Sequence, residues 1–137
     1  MTLSKLSSYV YLFGNDVRLL HLHTTGVHFF EYHEKLNELY DILFDFYDAL
    51  AESAITHNEE IGNPSELVLD ESLSWEVLEG KDFDVEEITY IILEKGKIIM
   101  SYIEETTGYE SWIQSRIDSF AENLDTCINY MFKQSAK

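Results

Sequence analysis

Hydrophobic side chains recur along this chain at steps of three and four residues, the spacing that places them on one face of an α-helix. The pattern predicts four long helices, at about residues 4–23, 29–57, 85–105 and 110–132. The second is longer than a typical globular helix, so it must span the whole length of a bundle. No convincing run alternates apolar and polar residues as a β-strand does, and the predicted fold class is all-α.

Residues at the predicted helix ends support these bounds. Asp84 has the side chain of an N-cap for the third helix, and Glu86 and Glu87 follow in the first turn, where the helix dipole favours negative charge. The segment Thr24-Thr25-Gly26 ends the first helix, and its glycine readily takes the positive φ that a helix C-terminus often needs.

A long segment, at about residues 58–80, joins the second and third helices. It is far longer than the ~2–8 residues usual between neighbouring antiparallel helices, so it must cross from one end of the bundle to the other. Either residues 65–69 or residues 72–78 could form a short helix within it. Two long helices, a crossover and two more helices predict a ferritin-like four-helix bundle, formed by residues 1–137 as one domain.

The composition indicates a folded protein of a reducing compartment. Hydrophobic residues make up 45% of the chain and aromatic residues 14%, which argues against disorder. The single cysteine, Cys127, cannot form an internal disulfide, and we expect it to be a small buried hydrophobe. No segment approaches the ~20 apolar residues of a membrane span, and the first residues lack a signal peptide's features. We therefore expect a soluble, cytoplasmic protein.

The formal net charge is −17, and it is unevenly distributed. Residues 1–40 hold three cationic and four acidic side chains and carry −1, so residues 41–137 carry −16. Such a surface repels nucleic acid and attracts cations or basic proteins. Charge alone leaves three interpretations open: a solvated acidic face, a funnel for cations, or a mimic of the charge of DNA.

Candidate metal ligands lie along one side of the second helix, which we call the stripe. Its members follow one another at steps of three or four residues and are His33, Asn37, Asp41, Phe44, Asp48 and Glu52. Asp48 and Glu52 can bind one ion together. Their apolar neighbours predict that the pair is buried, and burying two carboxylates costs free energy unless they bind a ligand. Imidazole nitrogen with carboxylate oxygen suits Fe(II), Mn(II) or Zn(II) rather than calcium.

The length of a helix decides where these ligands can meet. His33 and Asp48 are 15 residues apart, hence roughly 22 Å at ~1.5 Å per residue, whereas metal–ligand bonds are near ~2 Å. They can share an ion only if a second copy packs antiparallel, which places His33 of one chain beside Asp48 and Glu52 of the other. A site within one bundle would need Glu-x-x-His motifs on two helices, and the sequence contains none.

The stretch from His21 to His33, together with Tyr40 and the segment from Asp48 to Glu52, resembles the signature of the Dps mini-ferritins. In that pattern a His ends the first helix, a Gly follows five residues later, and a second His comes twelve residues after the first. An Asp-x-x-Ala-Glu motif then follows on the same helix. The specific match covers about residues 18–52, and the order of the helices extends it over the whole chain.

The resemblance implies a hollow shell, usually of twelve subunits, that oxidises Fe(II) with peroxide or oxygen, stores ferric iron and protects against oxidative damage. It implies a ferroxidase site shared between subunits. His21 and His33 would be iron ligands from one subunit, and Asp48 and Glu52 would come from its two-fold mate.

Three positions depart from the family pattern. Asn37 stands where the family has a carboxylate, and an amide binds iron poorly, which puts the second metal position and the speed of oxidation in question. Leu22 stands where Trp is common, and His23 stands where Asn is common and adds either a ligand or a surface imidazole. The termini carry no Lys-rich arm, so the DNA coating known for some members is not expected.

An alternative function belongs to a different class of protein. A ferritin-like bundle with a weak or lost iron site would act as an acidic interaction protein, inhibiting a nucleic-acid-binding partner by mimicking the charge of DNA. The net charge and the departures at Asn37 and Leu22 favour it. Protein-dependent oxidation of Fe(II) and a large homo-oligomer would distinguish the iron-oxidising protein from this alternative.

Overall fold

The computed structural model describes residues 1–135, and its helices form a bundle of four. The bounds are Leu3–His23 for α1, Phe29–Thr56 for α2, Val85–Glu105 for α3 and Ser111–Asp125 for α4. A π-helical segment, Thr126–Phe132, and a final turn, Lys133–Ser135, continue α4. The predicted all-α class and the long crossover between α2 and α3 are confirmed. None of the helices in residues 1–135 is long and apolar enough to cross a membrane.

The apolar faces of the four helices meet in one core. Phe13 of α1, Phe46 of α2 and Phe132 after α4 are fully buried, and the ring of Phe46 stacks on that of Phe120 with 4.8 Å between centroids. Burying such a side chain stabilises the fold by ~1.5–3 kcal/mol. Because the core takes one face of α2, the opposite face of this helix points out of the bundle.

The crossover lies against α1 and α3, and a buried carboxylate holds it there. Asp16 of α1 accepts hydrogen bonds from Trp75 Nε1 at 2.9 Å and from the Leu78 backbone N–H at 3.2 Å. The same carboxylate forms an ion pair with Lys95 of α3. Three elements therefore meet at one buried charge, which keeps its partners because a buried carboxylate without them would be strongly destabilising.

The helix ends agree with the sequence in part. Asp84 caps α3 as predicted, since its side chain accepts a backbone N–H of the first turn at 2.9 Å. Of the two places predicted for a short helix, Pro64–Leu69 forms a 3₁₀-helix, whereas residues 72–78 are not helical. The end of α1 is as predicted: the helix stops at His23 with Thr24 as its C-cap residue, and Gly26 has the predicted positive φ, 103°.

The end of α4 differs from its prediction. The sequence predicts a regular α-helix to about residue 132, but the backbone is π-helical from Thr126. The wider turn occurs where Ile128 packs against the backbone of α3 at Gly96. Cys127 is buried beside it, as predicted, and burial raises the pKa of its thiol to about 12, so this cysteine stays protonated and unreactive in the folded protein.

Candidate metal centre

The two imidazoles predicted to bind metal lie together where α1 meets α2. His21 is in the last turn of α1, and His33 is in the second turn of α2. Their rings stack with 3.8 Å between centroids and 24° between planes. His33 Nδ1 lies 3.1 Å from the backbone carbonyl oxygen of His21. Because a carbonyl only accepts, Nδ1 carries the proton in the neutral ring, and Nε2 keeps its lone pair for a metal ion.

The surroundings of His21 favour its neutral form. Burial, the neighbouring His33 and the Arg18 guanidinium lower the pKa of His21 below its ordinary value of 6.5. The neutral imidazole is the form that binds a metal ion, because protonation removes the lone pair. At neutral pH, His21 is therefore in the state that a ligand requires.

A shallow depression of about 170 Å³ opens beside His21, with Leu22 and Asn37 in its wall. Arg18 lies across it and donates from Nη1 to the Tyr40 hydroxyl at 3.2 Å, with its guanidinium 5.5 Å from the ring centroid. Sequence reasoning did not single out Arg18, although its place three residues before His21 puts both on one face of α1. Asn37, which departs from the family pattern, therefore lies in the same depression as His21.

The carboxylate pair lies elsewhere on the surface of the chain. Asp48 and Glu52 are both exposed on the outward face of α2, so the prediction of a buried pair is wrong for a single chain. The core takes the opposite face of the helix, which carries Leu43, Phe46 and Leu50. Within residues 1–135, no three His, Cys, Asp or Glu side chains lie close enough together to hold a metal ion.

Two other histidines face acidic side chains away from the imidazole pair. His23 Nδ1 lies 3.7 Å from Asp82 Oδ1, so this ring lies against the end of the crossover. His57 Nδ1 lies 3.4 Å from Glu110 Oε2 at the opposite end of α2. The histidine that stands where the family often has Asn therefore contacts the crossover in this chain.

A row of aromatic rings follows the outward side of α1 and α2, and sequence reasoning did not identify it as a unit. Ring centroids are 4.5 Å apart for Tyr40 and Phe44, 5.4 Å for Phe44 and Tyr11, and 5.2 Å for Tyr11 and Tyr47. We call these four rings the aromatic row. Helical spacing connects its three members on α2 and is visible in the sequence, but Tyr11 joins them only because α1 packs on α2.

The comparisons with known proteins identify the fold. No known family's sequence profile and no curated protein sequence matches this chain. Dps92 of Deinococcus radiodurans superposes with a TM-score of 0.84 at 12% identity, covering 96% of this chain and 81% of its own. Antigen TpF1 of Treponema pallidum gives 0.74 at 16% identity, covering 98% and 90%. Dps of Staphylococcus aureus gives 0.70 at 19% identity, covering 98% and 94%. The chain therefore has the fold of the Dps-type mini-ferritins.

Proposed function

We propose that the chain is a mini-ferritin subunit that oxidises Fe(II) with peroxide or oxygen and stores the ferric product. The observation that carries the proposal is the stacked imidazole pair of His21 and His33, with Nε2 of His33 free, on the same outward side as Asp48 and Glu52. Imidazole and carboxylate together match the ligand preference of Fe(II). Iron is the substrate, and protection against oxidative damage follows because each turnover consumes the oxidant.

A second copy of the chain completes the site. His21 and His33 come from one subunit, and Asp48 and Glu52 of the partner subunit close the site from an antiparallel α2. The exposure of both carboxylates in the single chain supports this arrangement, because an exposed pair is free to meet a partner. A two-fold axis then makes two equivalent sites in each dimer.

Exposed apolar side chains at both ends of α2 support the same pairing. Phe30 is 79% exposed and Ile55 is 62% exposed, and both continue the three- and four-residue steps of the stripe. An antiparallel register that sets His33 between Asp48 and Glu52 of the partner subunit also brings Phe30 within about half a turn of the partner's Ile55. The ligands and the apolar ends are therefore compatible with the same register.

Each such site is expected to hold one iron ion firmly. Asn37 occupies the position where a further carboxylate would bind a second ion, and its amide oxygen is a neutral, weaker donor. The negative charges of Asp48 and Glu52 interact more strongly with Fe(III) than with Fe(II), so they favour the oxidised product. The proposed site is a ferroxidase with one strong and one weak metal position.

The remaining parts of the proposal concern assembly and storage. We propose that the dimers build a shell of twelve subunits, located in the cytoplasm, which encloses the ferric mineral. The net charge of −17 supports iron storage, because an acidic surface raises the local concentration of cations. The same charge makes nucleic acid an unfavourable partner.

The test is the oxidation of Fe(II) by peroxide, followed by the near-ultraviolet absorbance of the ferric product. His33→Gln removes the free imidazole nitrogen and Asp48→Asn removes a charged ligand, and we expect each to slow protein-dependent oxidation by about tenfold or more. His28→Gln is the matched control, because His28 is an exposed imidazole that faces Glu31 outside the site.

Co-expression of the two slow variants tests whether the site is shared. In a mixed dimer, one site lacks both His33 and Asp48, while the other combines an intact His33 with an intact Asp48 from the partner subunit. Activity regained in mixed dimers supports a shared site, and mixed dimers that form but stay inactive would refute it. A parent protein that oxidises iron no faster than buffer would refute the proposal and favour the acidic interaction protein.

A further inference from the structure

The aromatic row connects the two half-sites that one chain contributes. It begins at Tyr40, which lines the depression beside His21, and it ends at Tyr47, which directly precedes Asp48. All four rings are half-buried, and successive centroids are 4.5 to 5.4 Å apart. In an antiparallel pair, the imidazole half and the carboxylate half of one chain belong to different iron sites. The row therefore joins the two sites of one dimer.

We propose that the aromatic row carries oxidising equivalents between the two iron sites of a dimer, with tyrosine supplying the second electron that peroxide takes at a site holding one iron. The inference rests on the proposed iron oxidation. It assigns a redox role to Tyr11, Tyr40 and Tyr47, and a bridging role to Phe44.

The electron requirement of peroxide is the reason for such a path. Cleaving peroxide to water takes two electrons, and one Fe(II) supplies one. Reduction by a single electron breaks the O–O bond and releases a hydroxyl radical, which attacks the protein. Because Asn37 makes the second metal position weak, a site that holds one iron takes the second electron from a source other than an adjacent iron. A tyrosine phenol is among the side chains most readily oxidised, and Tyr40 lies next to the imidazoles.

The proposed reaction balances in two steps. First, Fe(II), one tyrosine hydroxyl, one peroxide and one proton give Fe(III), a neutral tyrosyl radical and two water molecules. The O–O bond breaks, the iron and the phenol each lose one electron, and the phenol proton goes into water. Second, the radical takes an electron from Fe(II) at the other site and a proton from solvent, which restores tyrosine and leaves a second Fe(III). One peroxide thus oxidises two iron ions without a free hydroxyl radical.

The structure of the row suits this role. Its hydroxyl groups belong to half-buried side chains near the surface, where protons exchange with solvent. The Tyr40 hydroxyl accepts a hydrogen bond from Arg18 Nη1 at 3.2 Å, which leaves its own proton free to depart. Phe44 resists oxidation, but its ring fills the space between Tyr40 and Tyr11, and electron transfer is faster through closely packed rings than across a gap.

Packing alone also explains why aromatic rings cluster, so the test must keep the rings and remove only the phenols. The triple variant Tyr11→Phe, Tyr40→Phe, Tyr47→Phe does this, and Tyr90→Phe, an exposed tyrosine of α3 outside the row, is the matched control. The full-length proteins are loaded anaerobically with one Fe(II) per subunit, mixed with peroxide and frozen rapidly for electron paramagnetic resonance. A parallel sample contains a spin trap for hydroxyl radicals.

We expect the parent and the control to show a transient tyrosyl radical and to oxidise two iron ions per peroxide. The triple variant is expected to lose most of the radical signal, to approach one iron ion per peroxide and to yield trapped hydroxyl radical. If the triple variant does not fold, Tyr11→Phe alone should delay oxidation of the second iron, because it interrupts the middle of the row.

Two different failures can be distinguished. A parent that oxidises iron without a tyrosyl radical, with unchanged stoichiometry in the phenylalanine variants, overturns the redox role of the row and leaves the iron-oxidising function intact. A parent that oxidises no iron overturns both proposals.

Discussion

At the scale of residues, a single hydrogen bond orients one imidazole of the candidate site. His33 Nδ1 donates to the carbonyl oxygen of His21, which orients the ring and leaves Nε2 available to a metal ion. With the two rings stacked at 3.8 Å, a charge on one disfavours a charge on the other, and the pKa of His21 is lowered by burial and by His33. Because protons and Fe(II) compete for the same lone pair, the lowered pKa of His21 favours its metal-binding form.

Neutralising an exposed carboxylate of the stripe should weaken iron binding without destabilising the metal-free fold. Asp48 and Glu52 are like charges one turn apart on an exposed helix face, so each disfavours the other by ~0.2–0.5 kcal/mol. Glu52→Gln should leave the free energy of unfolding, measured by urea titration, unchanged or slightly raised, while its Fe(II) affinity falls. A clear loss of stability would instead show that Glu52 has a structural role.

Asp45→Asn is the matched control for the effect of Glu52→Gln on Fe(II) affinity and on the free energy of unfolding. Asp45 is exposed on α2, three residues before Asp48, so its neutralisation relieves a similar repulsion. It lies off the stripe, in a depression that it shares with Asn123 of α4. We expect the same small change in stability and no change in Fe(II) affinity. An equal loss of affinity would mean that total charge, rather than ligation, attracts the iron.

Tyr109 should make the stability of the fold sensitive to alkaline pH. Its hydroxyl donates to Glu59 Oε2 at 2.6 Å and accepts from the Leu3 backbone N–H at 3.0 Å. Burial and the bond to Glu59 raise the pKa of Tyr109 above its ordinary value of 10.0. Above that pH the unfolded chain releases a proton that the folded protein retains, so stability is full below pH 10.0 and falls as the pH rises through the folded pKa.

Tyr109→Phe tests this dependence. The variant should lose about 1–2 kcal/mol at neutral pH, because the hydrogen bonds with Glu59 and with the Leu3 backbone N–H are both removed. Its stability should then fall less steeply than that of the parent above pH 10.0. Tyr130→Phe, at an exposed position, should follow the parent curve in urea unfolding at both pH values. Parallel curves for Tyr109→Phe and the parent would assign the alkaline loss to other tyrosines.

At the scale of helices, α2 shows which structural features can be predicted from the sequence and which cannot. Its start at Phe29 is as predicted, and its end lies one residue earlier than predicted, because helical periodicity is local information. The burial of Asp48 was wrongly predicted for a related reason. Apolar neighbours in sequence show that a core is near, but only the packing of α1 and α4 decides which side of α2 faces it.

Contacts between distant residues could not be predicted in this way. Asp16 meets Trp75 and Lys95 across 59 and 79 residues of chain, and no local pattern specifies these partners. The meeting of His21 with His33 was predictable only through the family resemblance. The proposal of a second chain, in contrast, followed from the length of α2, because one straight helix holds His33 and Asp48 too far apart to share an ion.

Gly14 sets the distance between α1 and α2. A Cβ at Gly14 would lie 2.7 Å from Phe44 Cε2, and the Phe44 ring is held between Tyr11 and Tyr40. Gly14→Ala should lower the free energy of unfolding by about 1 kcal/mol, since an overpacking cost of ~1–3 kcal/mol exceeds the ~1 kcal/mol gain in helix propensity. In a Phe44→Leu background, where the ring is absent, the same substitution should be stabilising. Stabilisation in the parent background would contradict this close approach.

At the scale of the whole molecule, the proposed two-fold dimer pairs the outward face of α2 with the same face of a second copy. Apolar side chains, Phe30 and Ile55, stand at its two ends, with the candidate ligands between them. A two-fold axis sets the start of one α2 against the end of the other. The imidazoles of each chain then face the carboxylates of the other chain, and the apolar start of each helix faces the apolar end of the other. In the proposed dimer, one type of contact would produce two apolar clusters and two metal sites, and iron chemistry would depend on association.

Phe30→Asp should therefore abolish iron oxidation, although Phe30 binds no iron. The variant removes ~1.5–3 kcal/mol of apolar burial at each end of the pair and places a negative charge near Glu52 of the partner subunit. At ~1.4 kcal/mol for each tenfold change, the dissociation constant of the dimer should rise by more than about a hundredfold, measured by sedimentation of the metal-free protein. Tyr90→Asp, at another exposed aromatic position, on α3, should leave the two-fold pair intact. Pairs that survive Phe30→Asp would contradict the proposed register. If those pairs still oxidised iron, the shared site itself would need a different geometry.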